Sequence, residues 1–252
     1  METMANGIKH ESVAGKADAT SKKRIVISGM AGLYPEAHNV RELADILYNK
    51  KNPVTKEKCR YKFNHPESTE WVGVVPGLEL FDAQFFRVHY HLSLAMDPMS
   101  RKVLEQVYLA IYDAGICPES LSGKKVGVFC GLSSSETEKS FLYKETSSTG
   151  LGIVGSSKAM YANRISYWLN AKGPSFTVDA ACCGSMVALG IALNAIERGE
   201  CDAAIVTGSR IYIHPQTLVN VSRSVKMSTD GKTRSFDEDA SGCAFSEAIT
   251  VL

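Results

Sequence analysis

The chain has 252 residues, 44% of them hydrophobic and 22% charged, enough for one large core or two small ones and too apolar for a disordered tail. With 28 basic against 27 acidic side chains the net charge is +1, which leaves no cationic excess to steer a nucleic acid. The longest apolar stretch, residues 187–196, is too short to span a membrane and is interrupted by Gly190 and Asn194. Seven cysteines, an odd number, with no C-x-x-C pair and no secretory segment, point to a reducing compartment, read here as the cytoplasm. His89 and His91 stand alone two residues apart, so no metal site is expected.

Residues 1–23 are polar, rich in Ser, Ala, Lys and Thr, and carry no apolar period, which predicts a disordered leader ahead of a domain over 24–252. Glu2, Glu11 and the lack of arginine before Arg24 argue against a mitochondrial presequence. Ile25-Val26-Ile27 followed by Ser28-Gly29 predicts a short buried strand, and 40–48 has helical spacing. A Lys/Pro/Asn-rich loop is expected over roughly 49–70. A helix over 101–114 aligns Val103, Leu104, Val107, Ile111 and Ala114 on one face and stops at Gly115. Strands are expected at 125–131, 175–179 and 202–207, and helices at 156–169 and 184–198. This alternation defines an α/β fold with a mostly parallel sheet covered on both faces. Residues 247–252 read as a strand in progress that meets the chain end without a turn or polar flank.

Two motifs invite chemistry. Gly150-Leu151-Gly152-Ile153-Val154-Gly155 satisfies G-x-G-x-x-G and opens a helix, with Asp179 24 residues beyond its last glycine. The element in front, 139–149, is no credible buried strand, so a glycine-rich loop is the better reading. In Thr177-Val178-Asp179-Ala180-Ala181-Cys182-Cys183-Gly184-Ser185 a strand runs through small residues into cysteine and a long apolar helix. A thiol there sits at the helix N-terminus, where unpaired N–H groups and the helix dipole favour the thiolate, the nucleophilic form. Pattern alone leaves a second reading open, that Cys182 and Cys183 are small residues at a crowded helix start.

The segments IVISGMAGLYPEA (25–37), FDAQFF (81–86), MDPMSRKVLEQVYLAIYDAG (96–115), KVGVFCGLSSSE (125–136), AMYANRISYWLNAKGPSFTVDAACCGS (159–185), CDAAIVTG (201–208) and DGKTRSFDEDASG (230–242) resemble, in order, the N-terminal half of a β-ketoacyl synthase. The closest likeness is to the condensing domain of insect fatty acid synthases, with related polyketide synthases beside it. The resemblance implies the N-terminal half of a thiolase-like fold, a five-stranded sheet with helices on both faces. It places the family's acyl-thioester nucleophile on Cys182, with the Cys182 backbone N–H as an oxyanion-hole donor. Cys183 and Gly184 stand where the family motif has two serines, a change that should spare the nucleophile.

The resemblance further implies no directly bound cofactor: the substrate rides on the phosphopantetheine of an acyl carrier protein, the expected partner. Decarboxylation of the malonyl group needs two histidines and a lysine supplied by the family's C-terminal half. That half is missing here, and His10, His38, His65, His89, His91 and His214 all fall outside its motifs, so negligible condensation is expected from the chain alone. The strand Phe176–Asp179 corresponds to the one through which family subunits pair, so a homodimer is expected. Two rival readings are a non-catalytic synthase-like protein that binds carriers or dimerises, and a coenzyme A-dependent thiolase-like enzyme. MDPMSR and GPSFTVDAAC favour the carrier-dependent branch over the second.

Overall fold

The computed structural model describes residues 24–56, 60, 69–138 and 150–252. The expected leader, much of the loop near 57–68 and residues 139–149 lie outside them.

The strand β3 (Val126–Gly131) is buried at every position because both faces of the sheet around it are covered. On one side it pairs in parallel with β4 (Ser175–Val178), an edge strand, and on the other with β5 (Ala203–Arg210). β7 (Ala248–Val251) runs antiparallel to β5, and β1 (Ala31–Leu33) antiparallel to β7, giving the order β1-β7-β5-β3-β4. Four of the five strands therefore share one direction and β7 alone is reversed, as the expectation of a mostly parallel five-stranded sheet requires. A two-stranded parallel ribbon of β2 (Val72–Gly73) and β6 (Phe245–Ser246) lies apart from it.

The period of two along β3 separates the layers. Val126, Val128 and Cys130 point into one core with Ile205, Ile249 and Val251, and Phe129 points with Val206 into the other. The first core is roofed by α3 (Pro98–Asp113) and α5 (Ala159–Leu169). Asp97 caps α3 by accepting from the Met99 N–H at 2.8 Å, Pro98 fits its first turn, and Gly115 at φ 70° ends it. The second core is roofed by α6 (Gly184–Glu197), which lays Ala188, Ala192 and Ala195 on the sheet. Small residues at that spacing bring the helix backbone close to the strands. The opposite side of α6 is also apolar, and Met186 there is 68% exposed.

The structure departs from the sequence reading at the start of the domain. Ile25–Ile27 is extended but belongs to no ladder; the first paired strand is β1. The β1–β7 ladder begins at Ala31, paired with Val251, and the residues before Met30 join no ladder among the described residues. The helix expected over 156–169 divides into α4 (Gly152–Ser156) and α5, and β5 continues to Arg210 because β7 pairs with its polar end. The remaining helices are α1 (Val40–Tyr48), α2 (Tyr90–Ala95) and α7 (Pro215–Ser224). None of the described helices is long and apolar enough to cross a membrane.

Candidate functional site

Two glycines set the position of α6. A Cβ on Gly131, the last residue of β3, would overlap the backbone of Gly184 and Ser185, and one on Gly208 of β5 would press on the Ser185 side chain. Their bareness lets the first turn of α6 drop onto the carboxyl ends of two parallel strands, where ligand sites of open α/β sheets form. Between β4 and α6 the chain turns through a 3-10 turn, Ala181–Cys183, which presents Cys182 exposed at the helix N-terminus.

That turn is strained and held. Ala181 has φ 47°, a left-handed conformation that costs a residue with a side chain about 1–2 kcal/mol. Its N–H points at Asp179 Oδ1 at 3.4 Å, and Asp179 is in turn gripped by Lys158 Nζ at 2.8 Å. The Lys158 hydrogen bond, with the Ala181 N–H behind it, holds the Asp179 carboxyl below its usual range. The Cys183 N–H donates to Ala180 O at 3.0 Å, whereas the Cys182 N–H has no acceptor among the described residues.

Cys182 opens onto a cavity of about 400 Å³ whose other walls include Ser133, Ser185, Arg210, Tyr212 and Phe245. Arg210 donates to Ser134 Oγ at 2.5 Å, lies 5.1 Å above the Tyr212 ring and approaches the buried carboxylate of Glu136 at 4.0 Å. Burial pushes the Glu136 carboxyl up, opposed by the hydrogen bond from the His214 N–H and by the Arg210 charge. Burial likewise raises the Tyr212 phenol, against the pull of Arg210, and the nearby Glu136 carboxylate adds to the rise. The cavity wall at Tyr212 is fixed from behind by Glu247. This fully buried carboxylate accepts from the N–H groups of Val75 and Tyr212, each at 2.9 Å, and from Arg60 Nη2 at 2.7 Å.

The other cysteines are differently placed. Cys130 is buried beneath the same strand end, where desolvation pushes its thiol up to about 12 despite a hydrogen bond with Thr207. Burial also raises Cys201, and Cys183 is exposed beside Cys182. Of the histidines, His38, His89, His91 and His214 are described and none lines the cavity; His10 and His65 lie outside the described residues. No described group of three or more His, Cys, Asp or Glu could hold a metal ion.

Within the glycine motif at 150–155, Gly155 serves packing, whereas a Cβ on Gly150 would meet nothing. A Cβ on Gly155 would overlap the backbone of Ala95, and the Gly155 carbonyl accepts from the Asp97 N–H at 3.1 Å. The reading of 139–149 as no strand falls outside the described residues.

Sequence reasoning missed Arg210, Tyr212, Glu136 and the Arg60–Glu247 pair. The one local signal for Glu247 is a carboxylate set directly before the apolar run Ala248–Val251, where a buried acid demands partners.

The layered, mostly parallel α/β sheet, with a cysteine at the start of the helix on one of its faces, is of the thiolase-like class. The chain belongs to the β-ketoacyl synthase family: the sequence profile of the beta-ketoacyl synthase N-terminal domain matches residues 22–252. A fatty acid synthase of Anser anser anser is 38% identical over 228 residues, 90% of this chain and 65% of that protein. The polyketide synthase PksN of Bacillus subtilis is 31% identical over 90% of this chain and 4% of its own length. Among solved structures, the ketosynthase from module 6 of the bacillaene synthase of Bacillus subtilis superposes with a TM-score of 0.77 at 32% identity, covering 89% of this chain and 38% of that one. The oxazolomycin ketosynthase domain OzmH KS7 from Streptomyces albus gives 0.79 at 29% identity, with 90% and 42% covered. The chain thus spans about two fifths of these solved ketosynthases.

Proposed function

We propose that this chain is the nucleophile-bearing part of a fatty acid synthase-type 3-oxoacyl acyl-carrier-protein synthase. The observation that carries the reading is Cys182, set at the α6 N-terminus over the cavity with its own N–H open beside it. The Sγ thiolate of Cys182 attacks the thioester carbon of an acyl group borne on a carrier's phosphopantetheine. A new Cys182 thioester forms, the carrier's C–S bond breaks, and the phosphopantetheine sulfur leaves and takes up a proton. The Cys182 N–H donates to the oxyanion of the tetrahedral intermediate. In the next step a malonyl thioester loses CO2 and its enolate carbon attacks the Cys182 thioester. That step forms the new C–C bond and releases the cysteine sulfur with a ketoacyl product two carbons longer.

The chain acts in the cytoplasm, where free thiols persist, and two copies pair through the exposed edge of β4 at Phe176–Asp179. The apolar outer side of α6, with Met186, Val187 and Leu193 exposed, receives the layer contributed by the C-terminal synthase half. Because no described histidine faces the cavity, the chain by itself loads an acyl group and performs negligible condensation.

The test is a ketoacyl-product assay with acyl and malonyl carriers, run on the chain and on Cys182→Ala. No product above the Cys182→Ala background is expected. Robust turnover lost in Cys182→Ala overturns the need for a second half. Carrier binding without any thioester at Cys182 supports the non-catalytic reading instead.

A further inference from the structure

β5 carries Arg210 on the same face of the sheet as Gly208, the face that α6 covers. Strand side chains alternate between faces, and Gly208 and Arg210 are the register partners of Thr250 and Ala248, which flank the Ile249 that points into the α3 core. Gly208 lies under Ser185 in the first turn of α6, three residues after Cys182. Arg210, two residues on, therefore enters the Cys182 cavity about 7 Å farther along the strand.

Apart from the reacting thiol, Arg210 is the one residue that brings a charge at neutral pH to the described lining of this cavity. Its guanidinium is held in place without being neutralised at contact distance. Nη1 donates to Ser134 Oγ at 2.5 Å and to Ser133 Oγ at 3.4 Å, and the group lies over the Tyr212 ring. The Glu136 carboxylate comes to 4.0 Å from Nη2, beyond hydrogen-bond distance. Its other oxygen already accepts from the N–H groups of Ile213 and His214, each at 3.3 Å, and from the Thr217 hydroxyl at 3.4 Å. An apolar chain end pressed on this guanidinium would strip its water and return nothing, whereas a carboxylate would meet a planar fork of donors.

We propose that Arg210 sets the specificity of the Cys182 cavity: it selects an acyl group that ends in a carboxylate several carbons from the thioester, over an unsubstituted chain of the same length. The inference rests on Cys182 as the acyl acceptor and adds the class of acyl group accepted. Transfer itself is unchanged. The Sγ–acyl bond forms, the donor's C–S bond breaks, the donor sulfur takes up a proton, and the far carboxylate stays ionised against Arg210.

The probes are glutaryl and pentanoyl thioesters of N-acetylcysteamine, equal in chain length, with acylation of Cys182 in the full chain followed by mass spectrometry. Glutaryl transfer should be at least tenfold faster at low concentration, the difference lying in the half-saturating concentration. Arg210→Gln, which can keep the bond to Ser134, should erase the preference by slowing glutaryl alone, and Arg210→Lys should restore part of it. Two alkylating agents read the same site without acyl transfer: iodoacetylglycine, which carries a carboxylate, should modify Cys182 at least tenfold faster than neutral iodoacetylglycinamide, a difference lost in Arg210→Gln. That alkylation preference with no thioester from either acyl donor overturns Cys182 as acyl acceptor and supports Arg210 as the carboxylate reader. Equal transfer of the two acyl groups, or a glutaryl preference that survives Arg210→Gln, overturns the role of Arg210 and leaves Cys182 as acceptor standing.

Discussion

Gly131 and Ser185 approach so closely that no side chain fits between them: a Cβ on the strand residue would fall on the backbone nitrogen of the helix residue. This contact fixes the height of the α6 N-terminus above the sheet, and with it the place of Cys182 three residues earlier. Gly131→Ala should therefore push the helix start outward, cost about 1–3 kcal/mol of stability as overpacking does, and slow acylation of Cys182. Chemical denaturation and acyl loading measured on the same protein check both effects.

Gly184 presents the opposite case. Its backbone is helical, and an added Cβ would meet Gly131 and Leu132 at 3.5 Å, ordinary van der Waals contact. Gly184→Ala should raise stability by up to about 1 kcal/mol with acyl loading unchanged. A melting-temperature shift upward with full loading is the expected result.

Glu247 gathers four donor groups from segments far apart in the chain, and its carboxylate has no access to solvent. Glu247→Ala strands the buried N–H groups of Val75 and Tyr212 and leaves Arg60 only the Val75 carbonyl, so a loss of about 2–4 kcal/mol is expected. Urea unfolding of the variant reads this directly.

Glu136 and Asp179 should respond to pH in opposite senses. Burial raises Glu136, so its contribution to stability is full below the ordinary carboxylate value and lost as pH rises through the higher folded value. Glu136→Gln should remove that decline. Asp179 is lowered, chiefly by Lys158, so its contribution is present above the unfolded value and lost as pH falls through the folded one. Carboxyl titration by NMR should show Asp179 returning upward in Lys158→Met.

Much of this arrangement is legible in the residues. The apolar periods of β3, β4 and α6 and the cap at Asp97 are local signals, and the run of small residues from Asp179 to Ser185 already places a thiol at a helix start. Ile25–Ile27 carries the same strand pattern yet stays unpaired, because pairing depends on a partner that local sequence does not reveal. The cavity wall was illegible for a related reason. Arg60 and Glu247 are 187 residues apart, and Arg210 meets Ser134 and Glu136 across more than 70, so only folding brings them together.

The account turns on one thiol among several. The full chain, incubated with an acyl carrier at neutral pH, digested and mapped by mass spectrometry, should carry a single acyl thioester on the peptide containing Cys182. Cys183→Ser should retain it and Cys182→Ala should lose it, while the buried Cys130 stays unmodified in all three proteins. Acylation of Cys183 or Cys130 with Cys182 free, or undiminished acylation of Cys182→Ala, would contradict the assignment.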